Sequence, residues 1–340
     1  MLRSERGRRR MTMSALRDRL EGKQVLIYFA AVCIAAIAAT SLSGTERLEP
    51  AINPALALML FVTFLQVPLA SLREAFRNRR FFAALLAVNF VAVPVLVAIL
   101  VQFAPPDPLV RLGILIVLLC PCIDYVVTFS HLGRADARLL LAATPVLLIV
   151  QMLLLPLWLS LFLGAEAAEL VQMGPFLHAF LWLIAIPLGL AALCQLWAAR
   201  SAAGARVTGA LGLLPVPATA LVLFIVIAAV VPQLGQALTT VLAVAPLYIA
   251  YAVIAPLMGW VIARIASLEA PAGRAVAFSG ATRNSLVVLP LALAVPGAIP
   301  LLPAVIVTQT LVELVASLVY IRLLPRLGAA ANASVMPSRS

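Results

Sequence analysis

Charge is scarce in this sequence. Among 340 residues there are 24 Lys or Arg, 13 Asp or Glu and 2 His, so that charged side chains make up 11% of the chain. An ordinary soluble domain carries about 25%. The shortage excludes a water-soluble fold, because too little polar surface exists to cover one. No H-E-x-x-H or other paired-acid catalytic motif is recognisable, and the polar loops are too short to build a soluble active site. An enzyme is therefore not expected, and no cofactor is. The cysteines Cys33, Cys120, Cys122 and Cys194 all fall inside apolar stretches. They make no disulfide framework, and Cys120-Pro121-Cys122 lacks the spacing of a zinc site. A membrane sensor is a less favoured alternative, since no soluble output domain is recognisable.

What the chain has instead is apolar length. Hydrophobic residues are 64% of it, and crossing a bilayer takes about 20 in a row. Ten such stretches can be read, near 24–42, 51–71, 81–103, 110–131, 139–163, 175–197, 211–232, 240–263, 275–295 and 301–323. Basic residues gather in every second connection. Arg8, Arg9 and Arg10 precede the first span, Arg77, Arg79 and Arg80 follow the second, and Arg134, Arg200, Arg264 and Arg322 continue the series. The intervening connections carry Glu46, Glu49, Asp107, Glu166 and Glu169, with Arg47 and Arg111 as the exceptions. By the positive-inside rule both termini are cytoplasmic, in a multi-pass protein of a bacterial inner membrane. The net charge of +11 is thus a topology signal, with a basic tail that can touch anionic lipid, rather than a nucleic-acid footprint. The first apolar stretch is too long for a cleaved signal peptide.

The fold class expected is all-α and polytopic, with ten transmembrane helices in two inverted five-helix repeats. The halves are 24–163 and 175–324, between a basic tail at 1–23 and a C-terminal tail at 325–340. An odd number of helices per half gives the halves opposite orientations, a plan common among secondary transporters. Pro145 to Gln151 in the fifth span matches Pro303 to Gln309 in the tenth, and Val91-Ala-Val-Pro94 matches Val253-Ile-Ala-Pro256. In that register Asp124 falls opposite Thr282, one residue from Arg283. Both places interrupt an apolar span. Pro121 in Cys120-Pro-Cys-Ile-Asp124 removes a backbone donor, and Gly280 with the polar run after it weakens the ninth span. Paired interruptions in corresponding helices point to a transporter's binding site, because unwound backbone at membrane depth survives only where it is buried or lines a cavity.

Three strongly ionisable residues lie deep in spans: Asp124, Arg283 and Glu313. Such residues are expensive in hydrocarbon and usually face a pathway or one another. If the fourth and ninth helices cross, Asp124 and Arg283 can pair, either as a fixed structural pair or as one that opens for a proton or substrate. Glu313 shares a helix face with Gln309 and Ser317 at four-residue spacing, which serves interhelical hydrogen bonding or function. Cys122 is a small packing residue or a ligand. His131 can relay protons or simply be solvated, and His178 reads as solvated.

Around these residues the chain resembles the bile acid:sodium symporter superfamily, in particular its arsenical-resistance branch of arsenite efflux carriers. The resemblance covers about residues 50–325. It is carried most by Cys120-Pro-Cys-Ile-Asp-Tyr-Val-Val-Thr-Phe-Ser-His-Leu-Gly-Arg-Ala-Asp136, then by Ser279-Gly-Ala-Thr-Arg-Asn-Ser285, Gln309-Thr-Leu-Val-Glu313 and Phe64-Leu-Gln-Val-Pro-Leu69. It implies that the fourth and ninth helices are broken and cross in a core domain, and that helices 1, 2, 6 and 7 form a panel against which the core moves. It also implies that Cys122 stands where such carriers have their essential cysteine, that Glu313 matches a glutamate in their last helix and that Asn284 matches an asparagine in their broken ninth helix. Leu286 stands where those carriers have a further glutamate, and Asp124 where they have a small residue. In sodium-coupled relatives the sodium ligands fall on Val126, Val127, Ser279, Arg283 and Thr144; the two valines and the arginine offer no acceptor oxygen on their side chains, and Thr144 keeps one.

The expectation is a sodium-independent secondary carrier that exports arsenite or a similar small oxyacid against protons. Cys122 would contact a thiophilic metalloid, Asp124 or Glu313 would carry the proton, and Arg283, Asn284, Gln309 and Thr144 would complete the site. The alternative is a carrier of small organic anions, with a carboxylate bound by Arg283 and Asn284. The topology has a direct check. In a background lacking the native cysteines, Glu5→Cys and Arg339→Cys should be labelled by an impermeant thiol reagent only from the cytoplasmic side. Labelling of either from outside contradicts the assignment.

Overall fold

The computed structural model describes residues 2–66, 78–123, 125–164, 178, 181–234, 237–293, 295, 297 and 301–328. These residues are all-helical, with no strand among them. In chain order the helices are α1 (Leu2–Ser41), α2 (Ile52–Phe64), α3 (Arg79–Ala87), α4 (Val93–Leu100), α5 (Pro108–Leu118), α6 (Val126–Leu132), α7 (Ala137–Leu163), α8 (Ile186–Arg200), α9 (Ala202–Leu211), α10 (Pro215–Leu234), α11 (Leu238–Ile265), α12 (Ala270–Ala281), α13 (Ser285–Leu293) and α14 (Leu301–Leu323). A π turn, Val88–Ala92, carries α3 into α4. Helix α1 runs through the boundary expected at residues 23 and 24. Among the described residues six helical stretches are long and apolar enough to cross a membrane: Ala15–Ser41, Arg79–Phe103, Ala137–Leu163, Pro215–Pro232, Leu238–Ile265 and Leu301–Arg326. Helices α5 and α8 are apolar but shorter. Phe103 and Leu153 stand 73% and 72% exposed, the outward apolar surface that lipid would cover.

Local chemistry sets the ends. The Asp107 carboxylate accepts from the amides of Leu109 and Val110, with Pro108 at the first helical position of α5. Asp136 caps α7 by accepting from Leu139, and Asn78 caps α3 by accepting from Phe81.

The described chain divides into two compact units. One is Met1–Pro68 with Met173–Gln236, and the other Leu69–Gln172 with Ala237–Ser340. Each draws on both halves of the sequence, and the first collects the regions of predicted spans 1, 2, 6 and 7. In the first unit α1 and α2 pack against α10, and α2 also against α8. The Gln195 side chain donates to the carbonyls of Phe64 and Leu65 at the end of α2. In the second unit α14 packs on α5, α11 and α13, and α11 lies along α12.

Both expected interruptions lie in this second unit. Helix is interrupted between Leu118 and Val126, in the stretch expected as the fourth span, and between Ala281 and Ser285, in the stretch expected as the ninth. Gly280 departs from its expected part: it is helical, inside α12. Its lack of a side chain serves packing, because a Cβ there would lie 2.6 Å from Val88 Cγ1. The break falls on the polar run itself. Gly259 plays the same part where α11 meets α12, since a Cβ would lie 2.9 Å from Ala277 Cα. There the obstacle is backbone, which cannot step aside. Gly259→Ala should therefore lower stability by about 1–3 kcal/mol, read as an earlier thermal transition in detergent. An unaltered transition would show that the two helices are not in this contact.

Candidate substrate and coupling site at the interrupted helices

The two breaks meet. The Cys122 amide donates to the Thr282 carbonyl at 3.1 Å, and the Asn284 amide to the Cys120 carbonyl at 2.8 Å. Between them Pro121 and Arg283 face each other in an isolated antiparallel bridge. In this pairing the bonds come from the flanking residues, so Pro121 needs no N–H. That is why one residue can both end α5 and sit at the crossing.

Arg283 is wholly buried. Its Nη2 donates to Asn89 Oδ1 at 2.8 Å, to the Ser279 carbonyl at 2.5 Å and to the Gly280 carbonyl at 2.9 Å, while Nη1 reaches the Leu118 carbonyl at 3.3 Å. Leu118 closes α5, and Ser279 and Gly280 lie in the last turn of α12. Those carbonyls have no intrahelical donor, and a helix C-terminus favours a cation. Tyr251 covers the guanidinium, with its ring centroid 5.6 Å from Cζ, and its hydroxyl donates to the Gly280 carbonyl.

Glu313, also buried, has the opposite surroundings. Oε1 accepts from the Tyr125 hydroxyl at 2.7 Å, and Oε2 accepts from the Arg283 amide at 2.7 Å and from Gln309 Nε2 at 2.6 Å. Charge-assisted bonds of this kind are the strong ones. The carboxylate thus holds the backbone of Arg283, not its guanidinium. Among the described residues the ion pair is Arg17–Glu21, on α1.

The structure therefore brings Arg283, Asn284, Glu313, Gln309 and the backbone of Cys122 to one place. Asp124 lies outside the described residues. Thr144 is buried on α7, with its hydroxyl donating to its own helix at Leu140. Ser317 is buried on the same helix as Gln309 and Glu313, so that stripe faces inward. His131 is exposed at the end of α6. Both side-chain amide atoms of Asn284 are buried without a hydrogen-bond partner among the described residues, as is Gln309 Oε1. Buried polar groups of this sort call for a ligand or solvent. Sequence reasoning passed over Asn89, Tyr125 and Tyr251. Asn89 had a usable signal, a lone amide in an apolar span.

Interrupted helices that cross around buried charges, within a chain of long apolar helices, are the build of a multi-pass membrane transporter. The model of the Sodium Bile acid symporter family matches residues 53–240, more than half of the chain, and the chain belongs to that family. Its cargo is accordingly a small molecule. The match includes the Cys120–Tyr125 break and ends before the Arg283 break. No curated protein matches the chain.

Arg283 and Glu313 meet at the Arg283 backbone amide, which donates to the carboxylate. Arg283→Gln and Glu313→Gln should each lower stability by about 1–3 kcal/mol, the cost of leaving the buried polar partners of either group unsatisfied. The double variant should lose less than the sum, and thermal unfolding of all four proteins measures this. Strict additivity would show that the two charges are independent.

Proposed function

We propose that the chain is a sodium-independent secondary active transporter that exports arsenite or a similar small oxyacid in exchange for protons. The observation that carries this reading is the Arg283 guanidinium seated among the Leu118, Ser279 and Gly280 carbonyls and Asn89 Oδ1. Oxygens converging in this way would otherwise suit a hard cation. Here they hold a tethered one, and arginine stays charged at any accessible pH. A second cation would meet its repulsion. The resemblance sets the sodium ligands of the relatives on Val126, Val127, Ser279 and Arg283, which favours the same conclusion although the family is named for sodium coupling.

In this reading the proton resides on Glu313, with Asp124 as the alternative carrier. Asp124 and Arg283 would form a unit at the crossing of two inverted five-helix halves. Cys122 contacts the metalloid, and the unpaired Asn284 amide and Gln309 Oε1 supply a donor and acceptors to its hydroxyl groups. The organic-anion reading is the less favoured. It requires Arg283 to bind a carboxylate, and both terminal nitrogens of its guanidinium already bond to protein oxygens, which leaves Nε as the guanidinium nitrogen without a partner among the described residues. Ten spans, with both termini in the cytoplasm of a bacterial cell, complete the proposal.

Everted membrane vesicles test it. Arsenite should accumulate when a proton gradient is imposed, at the same rate in choline and sodium buffers, and small carboxylates should not compete. A steep dependence on sodium, or carboxylate transport with no arsenite transport, would refute the reading.

A further inference from the structure

The Glu313 carboxylate meets only donors: the Tyr125 hydroxyl, the Arg283 amide and Gln309 Nε2. A proton arriving on the carboxyl group needs an acceptor. The backbone amide cannot become one. A hydroxyl can, because it both donates and accepts. The Tyr125 oxygen is already 3.4 Å from a second acceptor, the Arg283 carbonyl. Its ring stands edge-on to Phe129, with centroids 5.9 Å apart, and is buried. The ring is therefore held while the O–H bond can turn.

We propose that Tyr125 is the positioning residue that carries the protonation state of Glu313 to the crossing. This rests on the proton-coupled reading of Glu313 above. With Glu313 ionised, the Tyr125 hydroxyl donates to Oε1. When a proton from the aqueous pathway binds Oε1, that carboxyl donates to the Tyr125 oxygen. The hydroxyl then redirects its own proton to the Arg283 carbonyl. Tyrosine keeps its proton throughout, and the site gains one positive charge. Tyr125 directly precedes α6 and Arg283 lies in the other break, so one hydroxyl rotation changes what joins the two interrupted helices. Besides Tyr125, the titratable or charged groups around Glu313 among the described residues are the Arg283 guanidinium, Tyr251 from α11 and Tyr320 on its own helix. The guanidinium is fixed in its oxygens, Tyr251 donates to Gly280 and Tyr320 to Ala252, so none of these is placed to answer the proton.

Difference infrared spectroscopy on the full-length protein in lipid vesicles, stepped from roughly pH 5 to 9, tests the assignment without a substrate. Wild type should show a protonated-carboxyl band that Glu313→Gln abolishes. In Tyr125→Phe that band should move to higher frequency, since the carboxyl proton has lost its acceptor. Isotope-labelled tyrosine in the wild-type chain should show a hydroxyl-sensitive ring band that changes with the carboxyl band and vanishes in Glu313→Gln, a readout that needs no variant at position 125. With arsenite as probe, gradient-driven flux should fall at least about tenfold more than arsenite exchange in Tyr125→Phe, the scale of a hydrogen bond to a charged group. No Glu313-dependent band, or a band unaltered in Tyr125→Phe with no tyrosine signal, overturns the proposal, and a band moved only by Gln309→Leu would assign the role to Gln309. If the infrared changes appear while wild-type arsenite flux ignores the proton gradient, the transport reading fails and the Tyr125 assignment stands.

Discussion

The second unit depends on one arrangement, two buried charges held by the ends of broken helices. The crossing exposes the carbonyl ends of α5 and α12, and the Arg283 guanidinium fills the space among them. It also exposes the amide of Arg283 ahead of α13, and the Glu313 carboxylate takes it. Each charge thus meets the end of opposite partial charge. Neither could stay in an apolar interior alone. Breaking two apolar helices and burying two ions are each costly, and the two costs offset because the same atoms answer both.

On the proposed reading, this arrangement would let a member of a family named for sodium coupling work without sodium. Converging oxygens at helix ends are what a cation site consists of. Supplying the cation on a side chain, with Asn89 and Tyr251 holding it in place, leaves a fixed charge where a mobile one would bind. What can still vary is the proton on the carboxylate, and that is the variable on which the proposed cycle turns.

The sequence disclosed part of this. Long apolar runs marked the helices, Pro121 and the Thr282–Asn284 run marked the breaks, and the Gln309, Glu313, Ser317 spacing marked an inward face that burial bears out. The partners of Arg283 stayed hidden, because most are backbone carbonyls and any residue type has one. Gly280 read as a helix breaker, since sequence alone does not reveal that Val88 lies against it. Tyr125 and Tyr251 were passed over because an aromatic ring in an apolar helix looks like packing until its hydroxyl is seen to point at a carboxylate or a carbonyl.

The central claim is that the Arg283 guanidinium takes the place of a bound cation. A ligand that binds only the folded protein raises its stability by mass action. Thermal unfolding of the purified protein should therefore be the same in sodium chloride and in choline chloride of equal ionic strength, whereas Arg283→Gln should be specifically stabilised by sodium. A wild-type protein that sodium stabilises over choline would contradict the account.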